Sequence, residues 1–150
     1  MRAKRLILLL SLPPLALAAG CGKSPPVSIF PLVSQEEIAR GESLYNTSCR
    51  LCHGTPEQGN LPVFKPLMNE PSVSGDPLQL ADAILFSKHH RHGPDGPYLF
   101  IDMNNEDVAC VGNYLRSKTG TDQAPLRAKT VERAREIHDE QDKAEAAAPQ

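Results

Sequence analysis

The segment Cys49-Arg50-Leu51-Cys52-His53 constrains this chain more than any other. Its two thiols lie one turn apart, and an imidazole follows the second directly. This C-x-x-C-H spacing reads as a covalent haem attachment site. Each thiol can add across one haem vinyl group, and the histidine is then held where a ring nitrogen can ligate the iron. Two other readings fit a bare C-x-x-C. A thioredoxin-like redox pair needs a βαβ setting, and nothing around residue 49 reads as a strand. A zinc site needs two further ligands, which Cys110 and the histidines at 89, 90 and 92 could supply.

The first twenty residues address the chain rather than fold it. Arg2, Lys4 and Arg5 precede Leu6 to Ala19, which is apolar apart from Ser11 and a Pro13-Pro14 break. Residues 1–20 thus have the charge, length and small-residue ending of a secretory signal peptide. They are too short and broken for a membrane span, which takes about 20 apolar residues. The ending Leu17-Ala18-Ala19-Gly20-Cys21 resembles a bacterial lipoprotein box, which makes Cys21 the lipidated first residue of the mature chain. Cleavage after Ala18 or Ala19, leaving a soluble periplasmic protein, is the alternative. Several acyl chains on one cysteine would give a lasting anchor.

Removing three basic residues with the leader leaves 13 of the 16 against 18 acidic residues, a formal net charge of −5. Nucleic acid, which wants a basic face, is not an expected partner. Export also places the four cysteines in an oxidising compartment, yet they do not form a disulfide framework. Two belong to haem and Cys21 to lipid. Cys110 is left, and reads as a small buried apolar residue.

Residues 21–33 hold Cys21 and a tether with Pro25, Pro26 and Pro31. At the rise of an extended proline-rich chain this tether reaches about 35 Å. The folded unit is expected over 34–119. Ser34-Gln35-Glu36-Glu37 is a capping box opening a helix with Ile38, Leu44 and Tyr45 that delivers the chain to Cys49. Gly41 interrupts that helix at a cost of about 1 kcal/mol, which points to a second helix crossing closely there. Residues 54 to 75 read as a proline-punctuated loop. Asp76-Pro77 then caps a helix with Leu80, Ala81, Ile84 and Leu85 on one face. Lys88 to Pro97 reads as loop.

A last helix begins at Asn104 or Asn105, with Glu106 and Asp107 at its positive end and Arg116 and Lys118 at its negative end. Gly120 stops it. No strand is expected, so the fold class is all-α. Residues 120–150 read as a polar, partly helical or disordered tail that includes His138. We prefer a solvated tail there to a docking helix. No segment is repeated, hence one haem.

The chain resembles a monohaem cytochrome c domain of the bacterial periplasmic type. The residues that carry the likeness are Gly41 to Tyr45, Cys49 to Gly54, Phe64 to Asn69, Val73 to Pro77, and Asn105 to Ala109 with Tyr114 to Ser117. They cover most of 34–119. The resemblance implies a cytochrome c-like fold of three to four helices around one haem, with the first and last helices crossing near Gly41 and Tyr114. It also implies that the carbonyl of Pro66, or of Pro62, accepts a hydrogen bond from the His53 ring, which would fix that ring and tune the iron.

Family members usually carry the distal methionine in a Met-Pro-x-Phe stretch before the last helix. Here Gly96-Pro97-Tyr98-Leu99-Phe100 stands in that place. Met1 leaves with the leader, and Met68 reads as a gap-filling core residue. Met103, just before the last helix, resembles the methionine that some relatives with dehydrogenase partners place there, and the resemblance makes it the expected distal ligand. His92, with its neighbours His89 and His90, is the alternative. A thioether raises the potential, a second imidazole lowers it, and an open position would admit small molecules.

The function expected is one-electron transfer by a lipid-anchored periplasmic protein, not an enzyme in its own right, although it could serve as a subunit of a dehydrogenase complex. Its partners would be periplasmic dehydrogenases, a respiratory complex, or a terminal oxidase or reductase, met through weak, small interfaces. A haem enzyme or sensor with an open sixth position, and a metal-binding lipoprotein without haem, are the rival readings.

Overall fold

The computed structural model describes residues 32–93 and 96–148. The leader, Cys21 and nearly all of the tether lie outside the described residues. Helix α1 (Gln35–Ser48) begins where Ser34 and Glu37 cap each other: the Glu37 amide donates to the serine hydroxyl at 3.1 Å, and the Ser34 amide donates to the Glu37 carboxylate at 2.8 Å. A single turn, α2 (Arg50–His53), follows through Cys49.

The proline-rich stretch after it is more ordered than a bare loop. It holds a 3-10 turn at Leu67–Asn69 and the one-turn helix α3 (Pro71–Ser74). Helix α4 (Pro77–Phe86) starts on Asp76, whose carboxylate accepts from the Leu78 amide at 2.8 Å. A second 3-10 turn covers Lys88–His90. Helix α5 (Asn105–Thr119) is capped by Asn104 and ends at Gly120 in the left-handed conformation. Helix α6 (Ala128–Ala146) closes the described chain. Among the described residues there are only isolated bridges and no strand, so the fold is all-α.

The α1–α5 crossing organises the core. Gly41 is buried there, and a Cβ built on it would lie 2.0 Å from the Cys110 carbonyl oxygen and 2.9 Å from Tyr114 Cβ. Only glycine lets these two backbones meet. Tyr45 and Tyr114 pack beside the crossing with ring centroids 5.6 Å apart. Leu80, Leu85, Val108 and Val111 fill the space between α4 and α5.

The segment after Gly120 is not a solvated tail. Leu126 and Val131 are completely buried and Ala134 nearly so, in the same core as α4 and α5. The Asn113 amide group donates to the Leu126 carbonyl at 3.0 Å and accepts from the Leu126 amide at 2.8 Å. Arg116, placed by the sequence at the negative end of α5, is fully buried there and donates to the carbonyls of Ala124 and Gly75. A buried guanidinium needs such partners, and the turn before α6 supplies one of them. His138 is also no free tail residue, since its ring stacks on Phe86 at 3.9 Å.

Leu126→Ala is therefore expected to cost about 2–5 kcal/mol, the range for emptying a buried leucine site. Ending the chain after Gly120 should also lower the thermal midpoint. If the segment were solvated, neither change would move a melting curve.

Candidate metal centre

Cys49, Cys52 and His53 occupy one tight turn. The amides of Cys52 and His53 both donate to the Cys49 carbonyl, at 3.2 and 2.9 Å. The turn is tied back to α1 by the Tyr45 hydroxyl, which donates to the Gly54 carbonyl at 3.0 Å. Gly54 has φ +66, and a Cβ there would strike the Gly59 carbonyl, so the chain can double back directly after His53. Cys49 and Cys52 are free thiols, the first half-buried and the second exposed. Burial, and then the neighbouring Cys52, push the Cys49 thiol up to about 11.

His53 faces an apolar cavity of about 80 Å³ walled by Tyr45, Cys49, Leu67, Val111, Leu115 and Met103, among others. An outer groove of about 460 Å³ shares His53, Leu67 and His90 with it. The imidazole packs on the Phe64 ring at 4.8 Å between centroids. Its pKa is lowered, first by burial and then by His90 and His89. A neutral ring is the form that binds a metal.

The remaining expected site residues are distributed unevenly. Met103 reaches the cavity wall and packs against the core. Met68 does not line the cavity. His92, the alternative distal ligand named from the sequence, is exposed and off the cavity. His90 is the histidine of that loop which enters. Its Nε2 lies 3.5 Å from His53 Nε2, and its Nδ1 is 2.9 Å from the Ile84 carbonyl. The expected bond from His53 to the Pro66 carbonyl is not made. His53 Nδ1 is buried without a partner, and the Pro66 carbonyl takes the Asn69 amide at 3.2 Å. Cys110 sits under α1, away from the cavity. Among the described residues no group of three or more His, Cys, Asp or Glu is placed to hold a metal ion, which leaves the zinc reading without a ligand set there.

Two contributors were not read from the sequence. Phe100 packs edge-on against His90 at 5.0 Å. Arg135 of α6 donates to the carbonyls of Ile101 and Met103 and to the Asn105 side chain, which pins the segment before α5. Arg135 falls on the α6 face that carries Val131, Ala134 and His138. That spacing was the one available signal.

The donor set fits a haem iron: two thiols on one turn, a neutral imidazole beside them, an apolar chamber, and a buried ring nitrogen in need of a partner. No helix among the described residues is long and apolar enough to cross a membrane. Neither the curated proteins nor the solved structures compared with the chain gave a significant match. The family model for Cytochrome c matches residues 38–119, more than half of the chain. That span runs from the start of the α1 core through the thiol turn and cavity to the end of α5, and it implies a haem c cofactor with its iron and a part in electron transfer. The chain belongs to the Cytochrome c family.

Proposed function

We propose that this protein is a membrane-tethered electron carrier working outside the cytoplasm, with one haem attached covalently through Cys49 and Cys52. The observation that carries the reading is the thiol turn, with its histidine facing an apolar cavity. In attachment, each S–H adds across one vinyl C=C. The sulfur bonds one carbon and the hydrogen goes to the other, with no external oxidant needed. The iron, when bound, supplies a reversible one-electron couple. The chain's own residues hold His53 neutral, exclude water with Leu67, Val111 and Leu115, and fix the turn through Tyr45.

Leu51, Leu61 and Val63 are 90, 68 and 74% exposed beside this turn. Such a small apolar surface suits brief docking of redox partners rather than a permanent complex. The partners we propose are a periplasmic dehydrogenase or a respiratory complex as donor and an oxidase or reductase as acceptor. The leader and Cys21 support export and lipid anchoring.

Fractionation of cells competent for haem attachment tests the proposal. The haem-staining chain should sediment with membranes, and Cys21→Ser should release it to the soluble fraction. The purified protein should also titrate as a single reversible one-electron couple. A colourless chain would overturn the haem reading, and a parent found wholly soluble would overturn the tether.

A further inference from the structure

We infer that His90, rather than Met103 or His92, is the second axial ligand of the haem iron, facing His53 across it. The inference rests on the haem reading above and specifies its site. The case begins with the backbone. The His90 amide donates to the Ser87 carbonyl at 2.8 Å, and the His90 carbonyl accepts from the Leu99 amide at 2.7 Å. Both sides of the residue are thus fixed.

The ring is fixed as well. Ile84 lies in the last turn of α4, where carbonyls lack helical partners, and its oxygen is 2.9 Å from His90 Nδ1. A carbonyl can only accept, so Nδ1 carries the hydrogen and Nε2 of the neutral ring presents a lone pair. Metal-ligating histidines are commonly held in this way, through a backbone carbonyl on the other ring nitrogen.

That lone pair points at His53 Nε2, 3.5 Å away. The rings do not serve each other well. With its hydrogen on Nε2, His53 would reach His90 only at the limit of a hydrogen bond and would bury a bare acceptor at Nδ1. With the hydrogen on Nδ1, two lone pairs would face each other. A metal between them accepts both pairs. Metal–imidazole bonds of about 2 Å would set two opposed nitrogens about 4 Å apart, close to the separation found. Phe64 packs on one ring and Phe100 on the other.

Met103 has no comparable constraint on its thioether. Arg135 holds only its backbone carbonyl, and its side chain contributes to the core. With two imidazoles the haem lacks the thioether that raises the potential, so this carrier would work with more strongly reducing donors than a histidine–methionine cytochrome.

The test is the visible and electron paramagnetic resonance spectra of the full-length haem protein, with His90→Ala, His90→Met and Met103→Leu alongside. The parent should be low-spin without the weak red iron–thioether band. His90→Ala should turn high-spin and bind carbon monoxide readily when reduced. His90→Met should gain the red band and a higher potential, and Met103→Leu should change neither spectrum. A red band in the parent that Met103→Leu removes would overturn the inference. So would a low-spin parent that His90→Ala leaves unchanged, and both of these leave the haem carrier itself intact. A high-spin parent would overturn the inference and also favour the open-site haem enzyme or sensor over the carrier. A chain with no covalent haem on a denaturing gel would instead bring down the underlying reading.

Discussion

Replacing Cys49 and Cys52 together by alanine is expected to abolish covalent haem, leaving no haem-staining band on a denaturing gel. Both thioethers would be lost, since Cys110 sits under α1, off the cavity. The double variant should also be less stable than the parent. The cavity between α1, α4 and α5 is walled almost entirely by apolar side chains, and the haem's apolar surface is what would fill it. His53→Ala separates ligation from attachment: the stain should persist while the low-spin spectrum is lost. A double variant that still stains would mean the haem is held by other residues.

Gly41→Val should be the most damaging single change away from the site. The added Cβ would sit 2.0 Å from the Cys110 carbonyl oxygen and 2.6 Å from its carbon. Those are backbone atoms in the middle of α5 and cannot swing aside. Overpacking costs about 1–3 kcal/mol and occasionally more. A clash with fixed backbone belongs at the upper end, about 3 kcal/mol, against a total of about 5–15 kcal/mol for an ordinary domain. The gain in helix propensity over glycine, less than about 1 kcal/mol, does not offset it. A fall in thermal midpoint of roughly 15 °C follows for a domain of this size.

The functional consequence should match. Tyr45 and Cys49 come from the α1 side of the cavity, Val111 and Leu115 from α5. Prising the helices apart would open the chamber to water, so haem incorporation should fall along with stability. A Gly41→Val protein that melts with the parent would show that the two backbones have room to separate.

Much of this molecule is local and could be read directly. The capping box at Ser34, the Asp76 and Asn104 caps and the stop at Gly120 each satisfy backbone groups within a few residues. All four stand where the spacing places them. The thiol turn is equally local, and the family match covers the region expected from it. Gly41 was legible as a crossing because a helix tolerates a buried glycine only for a packing reason.

The role of α6 was not legible. Its sequence is mostly charged, and its apolar stripe, Val131 and Ala134 with Ile137, is narrow. What docks it is elsewhere. Gly112 opens a notch that Leu126 fills, and buried Asn113 bonds the Leu126 backbone. Buried Arg116 takes one of its two carbonyls from the chain before α6 and the other from Gly75. Read along α5 alone, Arg116 suits the helix dipole. Only the fold shows it enclosed.

The histidine loop divides in the same way. The sequence by itself determined that two thiols and His53 lie on one turn and that the surrounding chain is helical, and it offered Met103 and the histidines at 89, 90 and 92 as candidate distal ligands. It could not rank His90 above His92, because both are polar residues in one short loop. The tertiary structure separates the two by placing the end of α4 beside the loop. The free Ile84 carbonyl captures one ring nitrogen of His90 and turns the other toward His53, while His92 faces solvent. Backbone capping and covalent spacing act over a few residues and are written in order along the chain. Which side chain meets which carbonyl across the core depends on how the helices pack.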